Sequence, residues 1–417
     1  MFRPLFFLAA TLLFTICGCA CNPSGYLAAS KTGDLSNPPA PRVKADAQLA
    51  LQCGRGELLG AGVSSIARKP YLQRTTDRST RIVWTTRSSA PAHVEITTPE
   101  GSIVTLAPGE EDTSARPEGA RQIEANITGL EPGTLYCYAI KEGDTPVARR
   151  AGFRTAPAAG GAEPVRFVAW GDSGTGNDEQ RAIRDQLVTV PFDFILHMGD
   201  IAYEEGTLQQ FEETFFGVYS GLLRHFPVFP VAGNHDYATL QAAPFREVFH
   251  LPENGSTAGQ EQWYSFDWGN VHFVGLDTER VNSDQVSWLK ADLAKNEQPW
   301  TIAFLHKPPF SSGEHGSDEA VRSAFGPIFE EHEVALVLAG HEHNYERMKP
   351  QRGVHYIVTG GGGRETRSVG TSDFTAFSDE VFHFLYVDVT GDKLALHTID
   401  GTGMEFDSLV IDRGAIQ

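Results

Sequence analysis

The sequence predicts a chain of two folded domains, an all-β sandwich followed by a larger α/β domain. Residues 69–155 show short alternating runs such as RIVWTT, AHVEITT and LYCYAI between Pro, Gly and Asp turns, as the strands of a β-sandwich do. From residue 165 onward, near-continuous apolar runs are separated by polar helical patterns. Such runs are typical of strands buried on both faces of an α/β sheet. The length of 417 residues suffices for two domains, one of them with a deep core.

The chain begins with a leader typical of an exported protein. One Arg is followed by an apolar stretch at residues 5–16, then by small residues and cysteines. The stretch is too short for a bilayer span, so we expect a signal peptide at 1–18. Ile16-Cys17-Gly18-Cys19 resembles a bacterial lipobox in which Cys19 would be lipidated, with Cys21 as the second choice. The alternatives are a membrane-anchored lipoprotein and a protein secreted to the periplasm or the exterior.

The remaining boundaries follow from composition. Residues 19–66 are rich in Ala, Pro, Ser and Gly, and we expect a flexible tether there. The sandwich is expected at 67–155, a linker at 156–164 and the α/β domain at 165–412. Beyond residue 21 only Cys53 and Cys137 remain. An oxidising compartment would allow them to pair, although two separated thiols are weak support for a disulfide.

The α/β domain is predicted from five apolar runs and the helical patterns between them. The runs are VRFVAW, FDFILHM, FPVFPVA, TIAFL and ALVLA, and helices are expected at about 178–189, 283–296 and 317–331. After the last of these runs, YIVTGGGG, FHFLYVDVT and KLALHTID are expected to be closing strands of a second sheet. The Gly run at 360–363 lacks the Lys and the Ser or Thr of a P-loop, so it is interpreted as a tight turn at a strand end.

Each of the five apolar runs ends in a short motif that carries metal-ligand chemistry. The motifs are GDSG at 171–174, GDIAY at 199–203, GNHD at 233–236, FLHKPP at 304–309 and GHEH at 340–343. Ligand sites of α/β sheets lie outside the carboxyl ends of the strands. Gly precedes the ligand residue in four of the motifs, where it lets the backbone approach closely. Hard and borderline ligands with one carboxylate free to bridge predict a site for two cations. The candidate ligands are Asp172, Asp200, Tyr203, Asn234, His306, His341 and His343.

The set of five motifs resembles the calcineurin-like metallophosphoesterases, and the Tyr of GDIAY resembles their purple acid phosphatase branch. The resemblance covers about residues 69–412. It implies a four-layer αββα sandwich metallophosphoesterase domain preceded by an all-β, fibronectin type III-like sandwich. KPYLQ at 69–73 and LEPGTLYCYAI at 130–140 resemble the opening and a late strand of that sandwich.

The resemblance also implies which residues hold which cation. Fe(III) would be held by Asp172, Asp200, Tyr203 and His343, with Asp200 as the bridge. Asn234, His306 and His341 would complete a second site for a divalent ion, Fe, Zn or Mn. The alternative for Tyr203 is that it packs on the site without ligating a cation.

Two further histidines resemble the family's phosphate contacts. His235 matches the His of GNH. His315, nine residues after His306, matches another, but Gly316 stands where some relatives carry a second adjacent His. This departure leaves the acid that protonates the leaving group open, and the alternative for His315 is a solvated loop residue.

The sequence therefore predicts an exported acid phosphatase that hydrolyses phosphomonoesters by in-line attack of a metal-bound hydroxide. Fe(III) would supply hydroxide in acid because it lowers the pKa of bound water strongly. The net charge of −19 argues against a nucleic-acid partner, so a small phosphate ester is the expected substrate. The alternatives are a phosphodiesterase on the same scaffold and a non-catalytic surface protein with a structural metal site. No sequence feature marks an oligomeric interface.

Overall fold

The computed structural model describes residues 27–112, 119–255 and 261–413. The predicted signal peptide at 1–18 and the candidate lipidation sites Cys19 and Cys21 lie outside these residues. In the described part of the chain, no helix combines the length and the apolar character needed to cross a bilayer.

The N-terminal domain is a sandwich of two antiparallel sheets. One has the strand order β1-β2-β6-β5, and the other has the order β4-β3-β7-β8 with β9 also paired to β7. The strands are β1 (Ile66–Gln73), β2 (Ser79–Thr86), β3 (Ala92–Thr97), β4 (Ile103–Pro108), β5 (Glu110–Asp112), β6 (Arg121–Thr128), β7 (Leu135–Glu142), β8 (Thr145–Pro146) and β9 (Ala151–Arg154). The expected strands in RIVWTT, AHVEITT and LYCYAI are thus confirmed as β2, β3 and β7.

The sandwich has its own core on one side of β1 and β2 and the α/β domain on the other. Leu72, Ile82 and Trp84 are buried among the sandwich residues. Their neighbours Tyr71 and Val83 belong instead to the core of the α/β domain. Successive residues of a strand point to opposite faces. The sheet is therefore covered on both sides, and the two domains share an apolar interface.

The α/β domain contains two mixed sheets. The six-stranded sheet has the order β12-β11-β10-β20-β21-β22, and the seven-stranded sheet has the order β13-β14-β15-β16-β18-β17-β19. Their strands are β10 (Val165–Trp170), β11 (Phe194–His197), β12 (Val228–Pro230), β13 (Tyr264–Trp268), β14 (Val271–Gly275), β15 (Trp300–Leu305), β16 (Leu336–Ala339), β17 (Tyr345–Met348), β18 (His355–Thr359), β19 (Thr375–Asp379), β20 (His383–Thr390), β21 (Lys393–Asp400) and β22 (Glu405–Asp412).

The two sheets pack face to face, which explains the continuous apolar runs. In β15, Ile302 and Phe304 lie in the core between the sheets, whereas Ala303 and Leu305 lie in a second core beneath the helices. A strand buried on both faces has no polar side to alternate with an apolar one. The order helix, sheet, sheet, helix is the four-layer arrangement expected from the resemblance.

The helices of the α/β domain begin where side chains cap them. The expected helices are confirmed as α3 (Asp178–Leu187), α8 (Ser283–Leu293) and α9 (Glu319–Glu331), whose first turns bond to the side chains of Asn177, Asn282 and Asp318. The shorter helices are α1 (Ala47–Cys53), α2 (Gly60–Ser65), α4 (Leu208–Gln210), α5 (Gly217–Leu223), α6 (Asn234–Ala238) and α7 (Ala243–Val248), with a π-helical turn at Phe211–Phe216.

The expectation that all three late strands close one second sheet was wrong in part. β18, from YIVT, lies beside β16 in the seven-stranded sheet, but β20 and β21 pair with β10 in the six-stranded sheet. Which strand each run pairs with depends on residues that are distant in the sequence, and a run that is apolar on both faces fits either sheet.

Residues 27–66, predicted as part of a flexible tether, are instead fixed to the folded domains. Four carboxylates of the α/β domain accept backbone N–H groups from residues 29–40, and these acceptors are Asp379, Asp400, Glu405 and Asp407. Farther along, Cys53 of α1 forms a disulfide with Cys137 of β7. The composition that suggested a tether does not reveal acceptors more than 300 residues away.

An ion pair between a buried guanidinium and a half-buried carboxylate joins the sandwich to the α/β domain. The Arg68 guanidinium is almost fully buried and pairs with Glu212 in the π-helical turn. It also lies 4.3 Å from the ring centroid of Phe216 and donates to the hydroxyl of Tyr71. Burial of a charge is tolerated only when such partners satisfy it, so this contact favours one arrangement of the two domains.

Candidate metal centre

The candidate ligands lie at the carboxyl ends of strands from both sheets. Asp172, Asp200 and Asn234 follow the adjacent parallel strands β10, β11 and β12 of the six-stranded sheet. His306 and His341 follow the parallel strands β15 and β16 of the seven-stranded sheet. The two edges meet, so the ligand positions predicted from five separate motifs converge on one place.

Three of the candidate ligand residues occupy the left-handed region of backbone conformation. Asp172, Asp200 and His341 have φ values of 59°, 53° and 71°. This region costs roughly 1–2 kcal/mol for a residue with a Cβ. Backbone bonds hold the turns, because the Asp172 N–H donates to Gly199 and the His341 N–H donates to the Asp172 carboxylate. Strained residues of this kind concentrate at functional sites.

The first group of donor atoms surrounds the Tyr203 hydroxyl. That oxygen lies 3.2 Å from Oδ1 of Asp172, 3.0 Å from Oδ2 of Asp200 and 3.1 Å from Nε2 of His343. Nε2 of His343 lies 3.6 Å from Oδ1 of Asp172. Donors about 2.0–2.3 Å from one cation lie about 3 Å from each other, so these four atoms are spaced as the ligands of a single ion.

The second group surrounds Nε2 of His306. This nitrogen lies 3.1 Å from Oδ1 of Asn234, 3.2 Å from Nδ1 of His341 and 3.5 Å from Oδ2 of Asp200. Oδ2 of Asp200 therefore belongs to both groups. The arrangement contains two adjacent donor sets with one carboxylate oxygen between them, as a bridged pair of cations requires.

Hydrogen bonds on the outer side of the candidate ligands determine which atom of each side chain faces the centre. Nδ1 of His306 lies 2.7 Å from the Met198 carbonyl and Nδ1 of His343 lies 2.9 Å from that of Glu365. Each Nδ1–H can donate there, which leaves the Nε2 lone pair for a cation. The second carboxylate oxygens of Asp172 and Asp200 accept the backbone N–H groups of His341 and His235.

The buried carboxylates and imidazoles of the cluster would be stabilised by positive charge at its centre. Burial raises the pKa of Asp172 well above its usual value. Burial opposes ionisation of Asp200 too, but the adjacent His306 lowers the pKa of Asp200. Burial likewise opposes a charged His306, yet Asp200 raises its pKa to about 10. The lone pairs that converge here repel one another unless a proton on His306 or bound cations lie between them. The donor atoms belong to carboxylates, a phenol, an amide and imidazoles, and this set fits cations.

Asp236, a residue of the GNHD motif that the sequence reasoning did not use, supports the ligand loops. Its buried carboxylate accepts the N–H groups of Ile201, Ala202 and Gly233. Asp236 thus ties the turn that carries Asp200 to the helix that carries Asn234. The acidic residue that ends the GNHD motif, two positions after Asn234, was the available signal for this role.

The two predicted phosphate contacts flank the centre. The His235 ring lies 4.4 Å from the ring of Tyr203, and the His315 ring lies 4.5 Å from the ring of His341. The His315 side chain is 43% exposed. The structure therefore brings one histidine to each donor group, beside atoms that would hold the cations.

Two arginines that the sequence reasoning missed lie at the same rim. The Arg364 guanidinium lies 5.0 Å from the ring centroid of Tyr203, and Nη1 of Arg367 lies 3.2 Å from Nδ1 of His315. Glu204 pairs with Arg364. The available signal was the pair of Arg residues just after the Gly run.

The Gly run at 360–363 follows β18 and approaches the Asp172 turn. Gly362 donates its N–H to the Gly171 carbonyl, and a Cβ on Gly362 would lie 2.3 Å from that oxygen. A Cβ on Gly360 would lie 2.1 Å from the Glu342 carbonyl. The run is needed for close backbone approach and forms the turn expected from the sequence.

Two protein-family models match the chain. The calcineurin-like phosphoesterase model matches residues 165–345, and the purple acid phosphatase N-terminal domain model matches residues 68–155. An uncharacterized protein of Mycobacterium tuberculosis is 28% identical over 333 residues, 68% of this chain and 62% of that protein. This chain thus spans less than two thirds of the mycobacterial protein. Purple acid phosphatase 18 of Arabidopsis thaliana is 29% identical over 328 residues, 72% of each chain.

Solved structures share the fold. Purple acid phosphatase PPD1 from seeds of yellow lupin, Lupinus luteus, matches with a TM-score of 0.73 at 20% identity, over 82% of this chain and 74% of that chain. A structure of PhoD matches with a TM-score of 0.63 at 15% identity, over 83% and 88% of the two chains. At these identities the likeness shows the fold, an all-β domain followed by an α/β metallophosphoesterase domain.

Proposed function

We propose that this chain, which belongs to the purple acid phosphatase branch of the calcineurin-like metallophosphoesterases, hydrolyses small phosphomonoesters at acidic pH. The observation that carries the proposal is Oδ2 of Asp200, which lies 3.0 Å from the Tyr203 hydroxyl and 3.5 Å from Nε2 of His306. One carboxylate oxygen shared by two complete donor sets suits a two-cation phosphoryl-transfer site.

We further propose that the cations are Fe(III) in the Tyr203 group and a divalent ion, Fe, Zn or Mn, in the His306 group. Bound there, they would supply Lewis acidity and lower the pKa of a water molecule. The phenol of Tyr203 supports the ferric assignment because a phenolate is a hard, anionic donor. Burial and the adjacent Asp200 raise the pKa of Tyr203 well above its usual value, so ionisation requires a strongly charged neighbour.

The protein's own residues would orient the ester and move the proton. In-line attack of a hydroxide forms one P–O bond as the ester P–O bond breaks. His235, beside Tyr203, and Arg364 would bind the phosphoryl oxygens. His315, beside His341, would donate a proton to the departing ester oxygen.

Export of the protein is also part of the proposal. The disulfide between Cys53 and Cys137 supports an oxidising compartment, since such bonds are rare in the cytosol. The leader at residues 1–18 supports secretion, and the lipobox-like run supports lipidation at Cys19 as a membrane anchor.

The test compares p-nitrophenyl phosphate with bis-p-nitrophenyl phosphate at about pH 5 and pH 7.5. The expected result is faster hydrolysis of the monoester in acid, with a loss of at least about 100-fold in Asp200→Asn. Faster hydrolysis of the diester would replace the proposal by a phosphodiesterase. Turnover of neither ester by protein loaded with two metal ions would favour a non-catalytic surface protein with a structural site.

A further inference from the structure

A short loop after the Gly run is fastened to the candidate metal centre by its backbone. The Arg364 N–H donates to the carbonyl of Asp172. The Arg367 N–H donates to the carbonyl of His343, and Nδ1 of His343 lies 2.9 Å from the carbonyl of Glu365. The positions of Arg364 and Arg367 are therefore set by the same turns that carry the candidate ligands.

The two guanidinium groups of this loop differ in how their charge is balanced. Nη1 of Arg364, a residue that lies over the ring of Tyr203, is 2.5 Å from Oε1 of Glu204. Within the described part of the chain, Arg367 has a single ion pair, in which its Nε lies 3.8 Å from Oε2 of Glu314. The Glu314 side chain is 69% exposed. An exposed carboxylate at this distance is screened by water and compensates little of the charge on Arg367.

Arg367 also keeps one edge of its guanidinium free of hydrogen bonds. Nη1 donates to Nδ1 of His315 at 3.2 Å and is the one guanidinium nitrogen with a hydrogen-bond partner among the described residues. A guanidinium carries five N–H donors in a rigid planar fork. The edge formed by Nε and Nη2 matches two oxygens of a carboxylate or a phosphate. Since the side chain is 28% exposed, an anion from solution can reach this edge.

The histidine that receives the Arg367 hydrogen bond is itself held in place. Oε1 of the buried Glu342 accepts the backbone N–H of His315 at 2.6 Å. The His315 ring lies 4.5 Å from the ring of His341. The free edge of Arg367 therefore stands beside the His341 donor group, whereas Arg364 stands beside the Tyr203 donor group.

We propose that Arg367 recognises phosphomonoesters whose alcohol part carries a second anionic group, either a carboxylate or a further phosphate. This inference rests on the proposed phosphomonoesterase function. In that function His235 and Arg364 bind the phosphoryl oxygens on one flank of the centre, so the alcohol part extends toward His315 on the other flank. An anion there meets the Nε and Nη2 edge of Arg367. The chain has a net charge of −19, so a cation retained at this rim is needed to attract such a group.

A series of matched phosphonates tests this recognition by binding alone. Ethylphosphonate, phosphonoacetate and methylenediphosphonate share a P–CH₂ unit, to which a methyl group, a carboxylate and a second phosphonate group are attached, respectively. Calorimetry on zinc-loaded protein should show that at least one of the two anionic compounds binds at least about 10-fold more tightly than ethylphosphonate. The compound with the larger gain identifies whether a carboxylate or a phosphate is the better partner.

Arg367→Gln should remove this preference. The glutamine amide can still donate an N–H to His315, but it has neither the charge nor the fork of the guanidinium. The preferred anionic phosphonate should bind about 10-fold less tightly to this variant, and ethylphosphonate should bind within about 2-fold of its wild-type affinity. Arg367→Lys keeps the charge without the fork and should retain part of the preference.

Two further variants serve as controls. Arg364→Gln should weaken the binding of all three phosphonates alike, because Arg364 contacts the phosphoryl group that they share. Arg413→Gln removes one positive charge at the opposite edge of the sheet, where Arg413 lies 5.7 Å from the ring centroid of Trp300 at the start of β15. This variant has the same net charge as Arg367→Gln and should bind each phosphonate as wild type does.

Turnover should follow the same pattern. 2-Phosphoglycerate has a carboxylate where glycerol 2-phosphate has a hydroxymethyl group. Its kcat/KM should be at least about 10-fold higher in wild type but not in Arg367→Gln.

Equal binding of all three phosphonates to wild type, or an anion preference that survives in Arg367→Gln, would overturn the role of Arg367. Loss of the preference in Arg413→Gln would also overturn it, because net charge would then be sufficient. Metal-loaded wild-type protein that prefers an anionic phosphonate but hydrolyses neither ester would overturn the proposed function instead, so the two failures are distinguishable.

Discussion

The hydroxyl of Tyr203 lies 3.1 Å from Nε2 of His343, although the two residues are 140 positions apart in the chain. Tyr203 follows β11 of the six-stranded sheet, and His343 follows β16 of the seven-stranded sheet. One donor group is therefore drawn from both sheets and forms only when the sheets pack face to face. Since a cation bound there interacts with the folded state alone, metal binding should stabilise the whole α/β domain.

Gly233→Ala should remove the metal centre. A Cβ at this position would lie 2.2 Å from Oδ1 of Asp200 and 2.5 Å from its backbone nitrogen. The shared carboxylate would have to move, so metal content and phosphatase activity should each fall at least about 10-fold. Metal analysis and a p-nitrophenyl phosphate assay measure both quantities.

Gly221→Ala is the control for that change. Gly221 lies in α5, and a Cβ there meets no atom within 4 Å. Ala is preferred over Gly in a helix by about 1 kcal/mol, so this variant should keep its metal and gain slightly in thermal stability. Full metal content in Gly233→Ala would contradict the position assigned to Asp200.

Asp236→Ala should destabilise the protein even without metal. The carboxylate accepts three buried backbone N–H groups, from Ile201, Ala202 and Gly233. Their loss should lower the free energy of unfolding by about 3–5 kcal/mol. Asp236→Asn retains one acceptor oxygen and should cost less. Denaturant titration of metal-free protein measures the difference, and equal stability of both variants and wild type would refute this supporting role.

His272 should make the stability of the protein depend on pH. Burial alone would lower its pKa, but hydrogen bonds to Asp267 and Asp292 raise the pKa of His272 to about 9. Because the pKa of His272 is higher in the folded state, its protonation stabilises the fold, and this contribution is complete below the unfolded-state pKa of about 6.5. The contribution is lost as the pH rises through about 9. The stability difference between wild type and His272→Gln should therefore shrink by about 2–3 kcal/mol between pH 6 and pH 10. A difference that does not change with pH would argue against a charged His272.

Reduction of the disulfide should lower stability without removing metal. The bond between Cys53 and Cys137 closes a loop with a sequence separation of 84 and joins α1 to β7. Loss of such a bond typically costs about 2–4 kcal/mol. Thermal unfolding with and without a reductant measures the effect, and the double variant Cys53→Ala/Cys137→Ala should not respond to the reductant. If the reductant still lowered the thermal stability of the double variant, the effect would not come from the bond between Cys53 and Cys137.

Local signals in the sequence were sufficient to predict the strand ends at which the candidate ligands lie. The motifs that carry them follow runs that are apolar on both faces, and the carboxyl ends of parallel strands meet at one edge. The same reasoning located α3, α8 and α9, whose boundaries are set by Asn177, Asn282 and Asp318 as caps. These features depend on residues within a few positions of each other.

Features that depend on distant partners were not accessible in the same way. The docking of residues 27–40 requires acceptors such as Asp379 and Asp407, and the composition of the segment does not reveal them. The hydrogen bond from the His315 N–H to the Glu342 carboxylate depends on how the loop after β15 packs against the turn after β16. Whether Cys53 and Cys137 pair is likewise decided by the packing of α1 on β7 and β9.

The most direct test of the account is an optical spectrum of the purified protein together with its metal content, for wild type and Tyr203→Phe. The predicted result is about two metal ions per chain, iron among them, with a broad visible band that disappears in the variant. That outcome would establish a tyrosinate–Fe(III) site in the group formed with Asp172, Asp200 and His343. Two zinc or manganese ions and no visible band would contradict the iron assignment but leave the donor sets in place. Protein that binds no metal from solutions of iron, zinc or manganese would contradict the central claim.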